Sequence, residues 1–254
     1  MNYINKLVST LKKHNISKEQ FYTILDKNDT FFDNYDLETE LIVSNGFPLY
    51  FTDNKVGLKT ATTHISEQTF CIVDIETSAP NTKQGQLIEI GAVKYKNGTI
   101  IETYNSLVNT DKIPPIVEEI TGISASMTHS APNIQTVLEE FKIFLEDDIF
   151  VAHAIDFDYK FLNDSFKKYN LGNLCNRRLC TIELSKKLID TQKYGLKALC
   201  ELLDIDISGH HRALADASAT LEIFQYCISI LPHNITTTEE LIDFTKKGKK
   251  YESI

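Results

Sequence analysis

From residue 68 the chain carries three runs of strand character in close succession: one around CIVDIET, then QLIEIGAVKYK, then TIIETYNSLVN. The last two are separated by Asn97-Gly98. Asn-Gly supplies the two positive φ angles of a tight hairpin whose twist matches that of paired strands, so the segment is expected to open an antiparallel sheet. After Pro114-Pro115 the apolar spacing changes from strand to helix. IVEEITG reads as a short helix and NIQTVLEEFKIFLEDD as a longer amphipathic one. IFVAHA reads as a short buried strand, followed by helices over DYKFLNDSFKKYN, TIELSKKLI, GLKALCELLDI and HRALADASATLEIFQYCISIL. Antiparallel strands followed by alternating helix and strand predict an α/β domain with a mixed sheet flanked by helices.

The first of these strands contains two acids, Asp74 and Glu76. Side chains two apart on a strand share a face, so the pair projects side by side while Ile75 turns the other way. Like charges so close are tolerable if one acid keeps its proton or if a cation sits between them, and a bound metal ion is the obvious candidate. Two further places offer acids at element ends. In VAHAIDFDYKFL, Asp158 follows Phe157 in the first turn of a helix. Alone it would read as a capping or dipole feature. In HHRALADASATLEIF, His211 and Asp216 are five apart, about 140° net around a helix, so they flank one cavity only if the helix start frays there. An acid between Ala215 and Ala217 on a closely packed helix is poorly explained as solvated surface. Asp74, Glu76, Asp158 and Asp216 together give four hard oxygen donors, which suit Mg²⁺ or Mn²⁺ and not zinc. His211 adds a group that titrates near neutral pH. Four acids and a histidine are what two-metal phosphodiester hydrolysis requires.

The 254 residues suffice for one sizeable core and a smaller second unit. A formal charge of −9 leaves no basic footprint, so any nucleic-acid contact must be local or carried by metals. Five cysteines without a C-x-x-C suit a reducing compartment, and Cys175 and Cys180 are too isolated for a zinc site. No signal-type apolar core and no long apolar run is present, so a cytoplasmic protein without a membrane partner is expected.

Ahead of the sheet, residues 3–13 and 18–26 have helical spacing with Ser17 as an N-cap. A third helix is expected over about Asp36 to Ser44, and LYFTDNKVGLKT reads as a hairpin. Three helices and a hairpin resemble a winged-helix module. Residues 1–65 nevertheless hold seven basic against eight acidic side chains, which favours packing or partner docking over reading phosphates. Residues 60–69 look like a polar connector. The expected organisation is an N-terminal helical, winged-helix-like domain at 1–65, the α/β domain at 66–232, and a C-terminal helix and tail at 233–254. The basic end of that tail reads as solvated rather than as a nucleic-acid arm.

The segments DIET at 74–77, HAIDFD at 153–158 and HRALAD at 211–216 resemble, in order and spacing, the three motifs of the DnaQ-like DEDDh 3′-to-5′ exonucleases. The epsilon proofreading subunit of DNA polymerase III is the best-known member of that family. The likeness runs over roughly residues 68–230, including TGISASM at 121–127 and GLKALCELLDI at 195–205. It implies a ribonuclease H-like fold and hydrolysis at the 3′ end of single-stranded DNA to nucleoside 5′-monophosphates, in proofreading or repair. It further implies that Asp74, Glu76, Asp158 and Asp216 hold two divalent ions, Mg²⁺ or Mn²⁺. His211 would be the general base, preferred to His210 because it alone fits H-x-A-x-x-D. By the same resemblance Ile75 and Thr77 would line the pocket for the terminal nucleotide, and His153 and Phe157 would contact the substrate. A histidine satisfied within the core is the competing account of His153. The chain departs from the family at Ala154, where many members have Asn, and near Ala79, where Gly is frequent. Asp156 is an extra acid to which the spacing gives no ligand role. The motifs do not report the sugar, so an exoribonuclease is the alternative within enzymes. A non-catalytic nucleic-acid or polymerase-binding module is the alternative outside them. A DNA polymerase catalytic subunit is the implied protein partner.

Overall fold

A computed structural model describes residues 2–26, 35–207 and 209–246. The chain opens with α1 (Asn2–Leu11), β1 (Ile16–Ser17), α2 (Lys18–Asp26), α3 (Tyr35–Ser44), β2 (Leu49–Phe51), β3 (Lys55–Leu58) and α4 (Lys59–Thr62). β1, β3 and β2 form a small antiparallel sheet in that order. Ser17 caps α2 as expected: its hydroxyl accepts the Gln20 N–H at 3.2 Å while the Gln20 side chain accepts the Ser17 N–H at 3.0 Å. Leu7, Leu11, Phe21, Leu25, Phe47 and Leu58 are among the apolar side chains that fill this unit. Three helices and a hairpin appear as expected. The two-residue strand β1 is an addition, because it is too short to leave a periodic signal.

The main sheet contains β4 (Phe70–Thr77), β5 (Leu87–Lys96), β6 (Thr99–Leu107), β7 (Ile149–Ala152) and β8 (Arg178–Cys180). Its order is β6-β5-β4-β7-β8, with β6, β5 and β4 antiparallel and β7 and β8 joined in parallel. Asn97 (φ 47°) and Gly98 (φ 80°) both lie in the left-handed region between β5 and β6, as the hairpin requires. Helices α5 (Pro115–Thr121), α6 (Ala125–Thr128), α7 (Ile134–Leu145), α8 (Ile155–Lys168), α9 (Thr181–Leu188), α10 (Leu196–Leu203), α11 (Ala213–Ser229) and α12 (Thr238–Lys246) complete the chain. This mixed sheet flanked by helices is the ribonuclease H-like α/β architecture expected from the sequence.

The period of two along β4 divides the interior. Cys71, Val73 and Ile75 face a core shared with α7 and α8, whereas Phe70 and Ile72 face one shared with α9, α11 and α12. Asp74 and Glu76 continue the second face, beneath the start of α11. The N-terminal unit meets this domain through polar contacts. Cys175 N–H donates to Asn45 O at 2.7 Å, and Lys142 Nζ to Asn45 Oδ1 at 2.9 Å. Glu239 of α12 accepts from Thr60 at 2.8 Å and pairs with Arg177. The connector at 60–69 pairs with the chain before α12, through Ile65 N–H to Thr236 O at 3.0 Å. α12 carries the expected capping pattern, with Glu240 accepting the Thr236 and Thr237 N–H groups, each at 2.9 Å. The basic tail beyond Lys246 lies outside the described residues. Among the described residues no helix is long and apolar enough to cross a membrane.

Candidate active site

β4 delivers Asp74 and Glu76 to one face, and its ladder to β5 shifts register between Glu76 and Thr77. Such a bulge bends the strand and re-aims the side chains beside it. α11 brings Asp216 against them: carboxylate oxygens of Asp74, Glu76 and Asp216 lie within 4.8 Å of one another. Asp158 enters from the first turn of α8 and is 4% exposed, close enough to the Ile75 backbone amide for that dipole to favour its ionised form. Ala154, in the left-handed region at φ 69°, turns the chain from β7 into that helix.

The four acids share one field. Burial, and then the charges of Asp158, Asp216 and Glu76, push the Asp74 carboxyl well above its usual range. Burial, and then Asp216, Glu89 and Asp158, raise Glu76 to about 8, against a lowering by Arg212. Burial raises Asp158 to about 7 against the opposing pull of its own and the Ile75 backbone amides. Among the described residues no Lys or Arg forms an ion pair with Asp74, Glu76, Asp158 or Asp216. Glu89, Asp148 and Glu239 are buried, as are Asp158 and Asp216, but each of the three meets a cation, Arg212, Lys94 and Arg177 respectively. Acids gathered around one spot without a Lys or Arg partner, all hard oxygen donors, fit Mg²⁺ or Mn²⁺.

α11 begins at Ala213, two residues after His211, which itself takes a left-handed conformation at φ 66°. The helical angle of the sequence argument therefore does not apply, and His211 reaches the site from outside the helix. Its N–H donates to Asp216 Oδ2 at 3.2 Å, and its exposed ring stacks on His210 at 3.9 Å between centroids. Burial and then His210 hold the His211 imidazole below its usual range. The ring bonded to Asp216 is that of His210, with Nδ1 2.6 Å from Oδ1. The sequence pattern favoured His211 and gave no notice of this contact.

Of the residues expected to meet substrate, Thr77 ends β4 next to Glu76, and Phe157, beside Asp158 in α8, is 42% exposed. The Ile75 side chain is not brought there, being 5% exposed and packed in the core. His153 has both ring nitrogens engaged, Nε2 with Tyr194 O at 2.9 Å and Nδ1 with Thr181 Oγ1 at 2.8 Å. The carbonyl can only accept, so Nε2 carries the proton. Burial drives this histidine down to about 4, leaving the neutral ring's face for any contact. Glu89 and Arg212, which border the acids, went unnoticed in the sequence. An acid inside LIEIGAV, read by the rule applied to Asp74, would have revealed the first.

A family model described as Exonuclease matches residues 71–224. The chain belongs to the exonuclease family. The chain is 35% identical over 163 residues to the DNA polymerase III subunit epsilon of Aquifex aeolicus, covering 63% of the present chain and 81% of that protein. It is also 35% identical over 188 residues to the DNA polymerase III PolC-type of Halalkalibacterium halodurans, covering 73% of this chain and 13% of the polymerase. The chain thus spans only a small part of the PolC-type relatives it matches. Among solved structures, Exonuclease X in complex with 5′ overhanging duplex DNA is similar with a TM-score of 0.54 and 27% identity, over 69% of this chain and 99% of that one. The zinc-bound E. coli ExoI–ssDNA complex shares the fold, with a TM-score of 0.60 and 16% identity over 70% of this chain and 42% of that one.

Proposed function

We propose that this exonuclease is a metal-dependent 3′-to-5′ enzyme of the DEDDh type. It hydrolyses the terminal phosphodiester of single-stranded DNA to nucleoside 5′-monophosphates, in replication proofreading or DNA repair. The convergence of Asp74, Glu76, Asp158 and Asp216 without a Lys or Arg partner carries this reading. These four carboxylates would hold two divalent ions, Mg²⁺ or Mn²⁺. When bound, such ions polarise the phosphoryl group and lower the pKa of the attacking water.

The chain's own residues do the rest. His211, neutral at pH 7 because its basicity is depressed, accepts the proton of the water at a ring nitrogen. Phe157 offers an exposed aromatic face on which a terminal base can stack. Thr77 ends the strand that carries Asp74 and Glu76, and the Ile75 backbone amide favours the ionised Asp158 carboxylate. His153, tied to Thr181 and Tyr194, holds the turn from β7 into α8 and presents its ring to the substrate.

The resemblance to subunit epsilon and to PolC-type polymerases supports DNA as substrate and a DNA polymerase catalytic subunit as partner. The deciding experiment is degradation of 3′-labelled DNA and RNA oligomers of one sequence with Mg²⁺, Mn²⁺ or EDTA. Metal-dependent release of deoxynucleoside 5′-monophosphates is expected. Preferential loss of the RNA would transfer the assignment to an exoribonuclease, and absence of turnover with either metal would leave a binding module. Co-purification of a polymerase with the full chain, compared with chains lacking 1–65 or 233–254, tests the partner.

A further inference from the structure

Glu89 is 0% exposed on β5, directly across the ladder from Glu76. Its carboxylate accepts from Arg212 Nη2 at 2.7 Å and Nε at 3.2 Å, a two-pronged pairing that fixes direction as well as distance. One of its oxygens also accepts the Ala213 N–H at 2.9 Å. That N–H opens α11 and has no partner within the helix, and the N-cap residue Arg212 offers no side-chain cap. The first turn of α11 is therefore capped by an acid from another element. Two residues along β5, Gly91 lets the same turn settle on bare backbone. A Cβ at Gly91 would lie 2.1 Å from Leu214 N and 2.2 Å from Ala213 C, so any side chain would push the helix away.

We infer that Glu89 and Arg212 form a positioning clamp that sets where His211 and Asp216 stand relative to Asp74 and Glu76. The inference deepens the proposed nuclease function and rests on it. Arg212 immediately follows His211, and its carbonyl accepts the Asp216 N–H at 3.0 Å. Holding Arg212 thus holds the proposed base on one side and the proposed metal ligand on the other. The anchor is the strand paired to β4, so the two halves of the acid cluster are referenced to one ladder. Residues that orient ligands in this way are costly to remove although they touch neither metal nor substrate. A lysine at 212 would supply charge without the planar fork.

The test uses the full chain with Arg212→Ala, Arg212→Lys, Glu89→Gln and the Glu89→Gln/Arg212→Ala pair. The readouts are steady-state cleavage of a 3′-labelled single-stranded DNA, Mn²⁺ binding by calorimetry and thermal unfolding. Arg212→Ala is expected to lower kcat about 10- to 100-fold, leave KM within about twofold and weaken Mn²⁺ binding. Arg212→Lys recovers part of each loss, and the double variant is no worse than Arg212→Ala. A raised KM with unchanged kcat would instead put Arg212 on the DNA strand, and additive losses would separate the two residues; either result overturns the clamp. If Arg212→Ala fails to fold, Arg212→Lys and Glu89→Gln decide, and wild-type kcat and Mn²⁺ affinity in both overturn it. If the wild-type chain releases no nucleotide, the nuclease assignment fails while calorimetry still judges the clamp. Equal Mn²⁺ affinity in wild type and Arg212→Ala then refutes it, and weaker affinity in the variant supports it.

Discussion

The N-terminal unit and the exonuclease domain fill their interiors differently. Before residue 65, Thr60 is the one buried polar side chain among the described residues, and the core runs from Leu7 to Leu58 in apolar groups. The exonuclease domain buries Glu89, Lys94, Asp148, Asp158 and Asp216, and α12 packed on it adds Glu239. Desolvating an acid costs several kcal/mol unless a partner compensates. Arg212 and Arg177 compensate Glu89 and Glu239, and Lys94 pairs with Asp148, whose carboxyl burial still raises to about 6, while the cluster around Asp74 has no Lys or Arg partner at all. One region is built for stability throughout. The other gives stability up at one spot, and a spot maintained at such cost is where chemistry is expected.

That contrast is broken most sharply by Asp74→Ala and Asp216→Ala. Each should lower exonuclease turnover by about three orders of magnitude or more while Tm holds or rises, because removing one of several crowded acids relieves repulsion. A variant that keeps its activity would remove that residue from the site. His211→Ala should cost about 10²- to 10⁴-fold at neutral pH, the usual range for a general base. An unchanged pH–rate profile in this variant would speak against the role. Phe21→Ala, in the fully apolar core, should reverse the pattern. About 3–5 kcal/mol of stability is lost, and turnover measured well below the new Tm stays near wild type. Lost turnover in a folded Phe21→Ala protein would mean that the two regions are coupled.

The regular parts of both regions were legible in the sequence, since alternation, capping boxes and Asn97-Gly98 are local signals. Asp74 and Glu76 were legible as a pair because a strand's period is two. β1 and β8, of two and three residues, were not, since each exists by completing the edge of a strand distant in sequence. The contact of His210 with Asp216 was equally hidden. It depends on the left-handed turn at His211, which no neighbouring residue type announces.

A smaller and reversible effect follows from the raised carboxyl pKa values. In the unfolded chain Glu76 and Asp158 titrate near 4, whereas in the metal-free fold they do so at about 8 and about 7. Between these limits the folded state binds more protons, so stability falls as pH rises. Metal-free protein should therefore lose several degrees of Tm between pH 5 and pH 8 relative to Glu76→Gln. Added Mn²⁺ should restore the loss, because a cation binds the ionised form. A wild-type curve that parallels the Glu76→Gln curve would show that Glu76 is not the strained group.

The smallest effect concerns Ala154, where the chain lacks the Asn of many relatives. Its φ of 69° and ψ of 49° place a Cβ where it crowds the backbone, a conformation that Gly adopts freely and Asn tolerates. The residue is exposed, so no packing is lost on substitution. Ala154→Gly relieves that crowding but gives the unfolded chain more freedom, and the first term exceeds the second for a left-handed residue. Ala154→Asn keeps the unfolded chain stiffer. Both should raise stability, by about 0.5–1 kcal/mol, with Asn at least equal to Gly. Neither should alter turnover, because Asp158 is 4% exposed and is held by the packing of the first turn of α8 rather than by the residue before that helix. A gain in kcat with Ala154→Asn would instead mean that this turn sets the placement of Asp158, and that the present chain holds its active site less firmly than its relatives do.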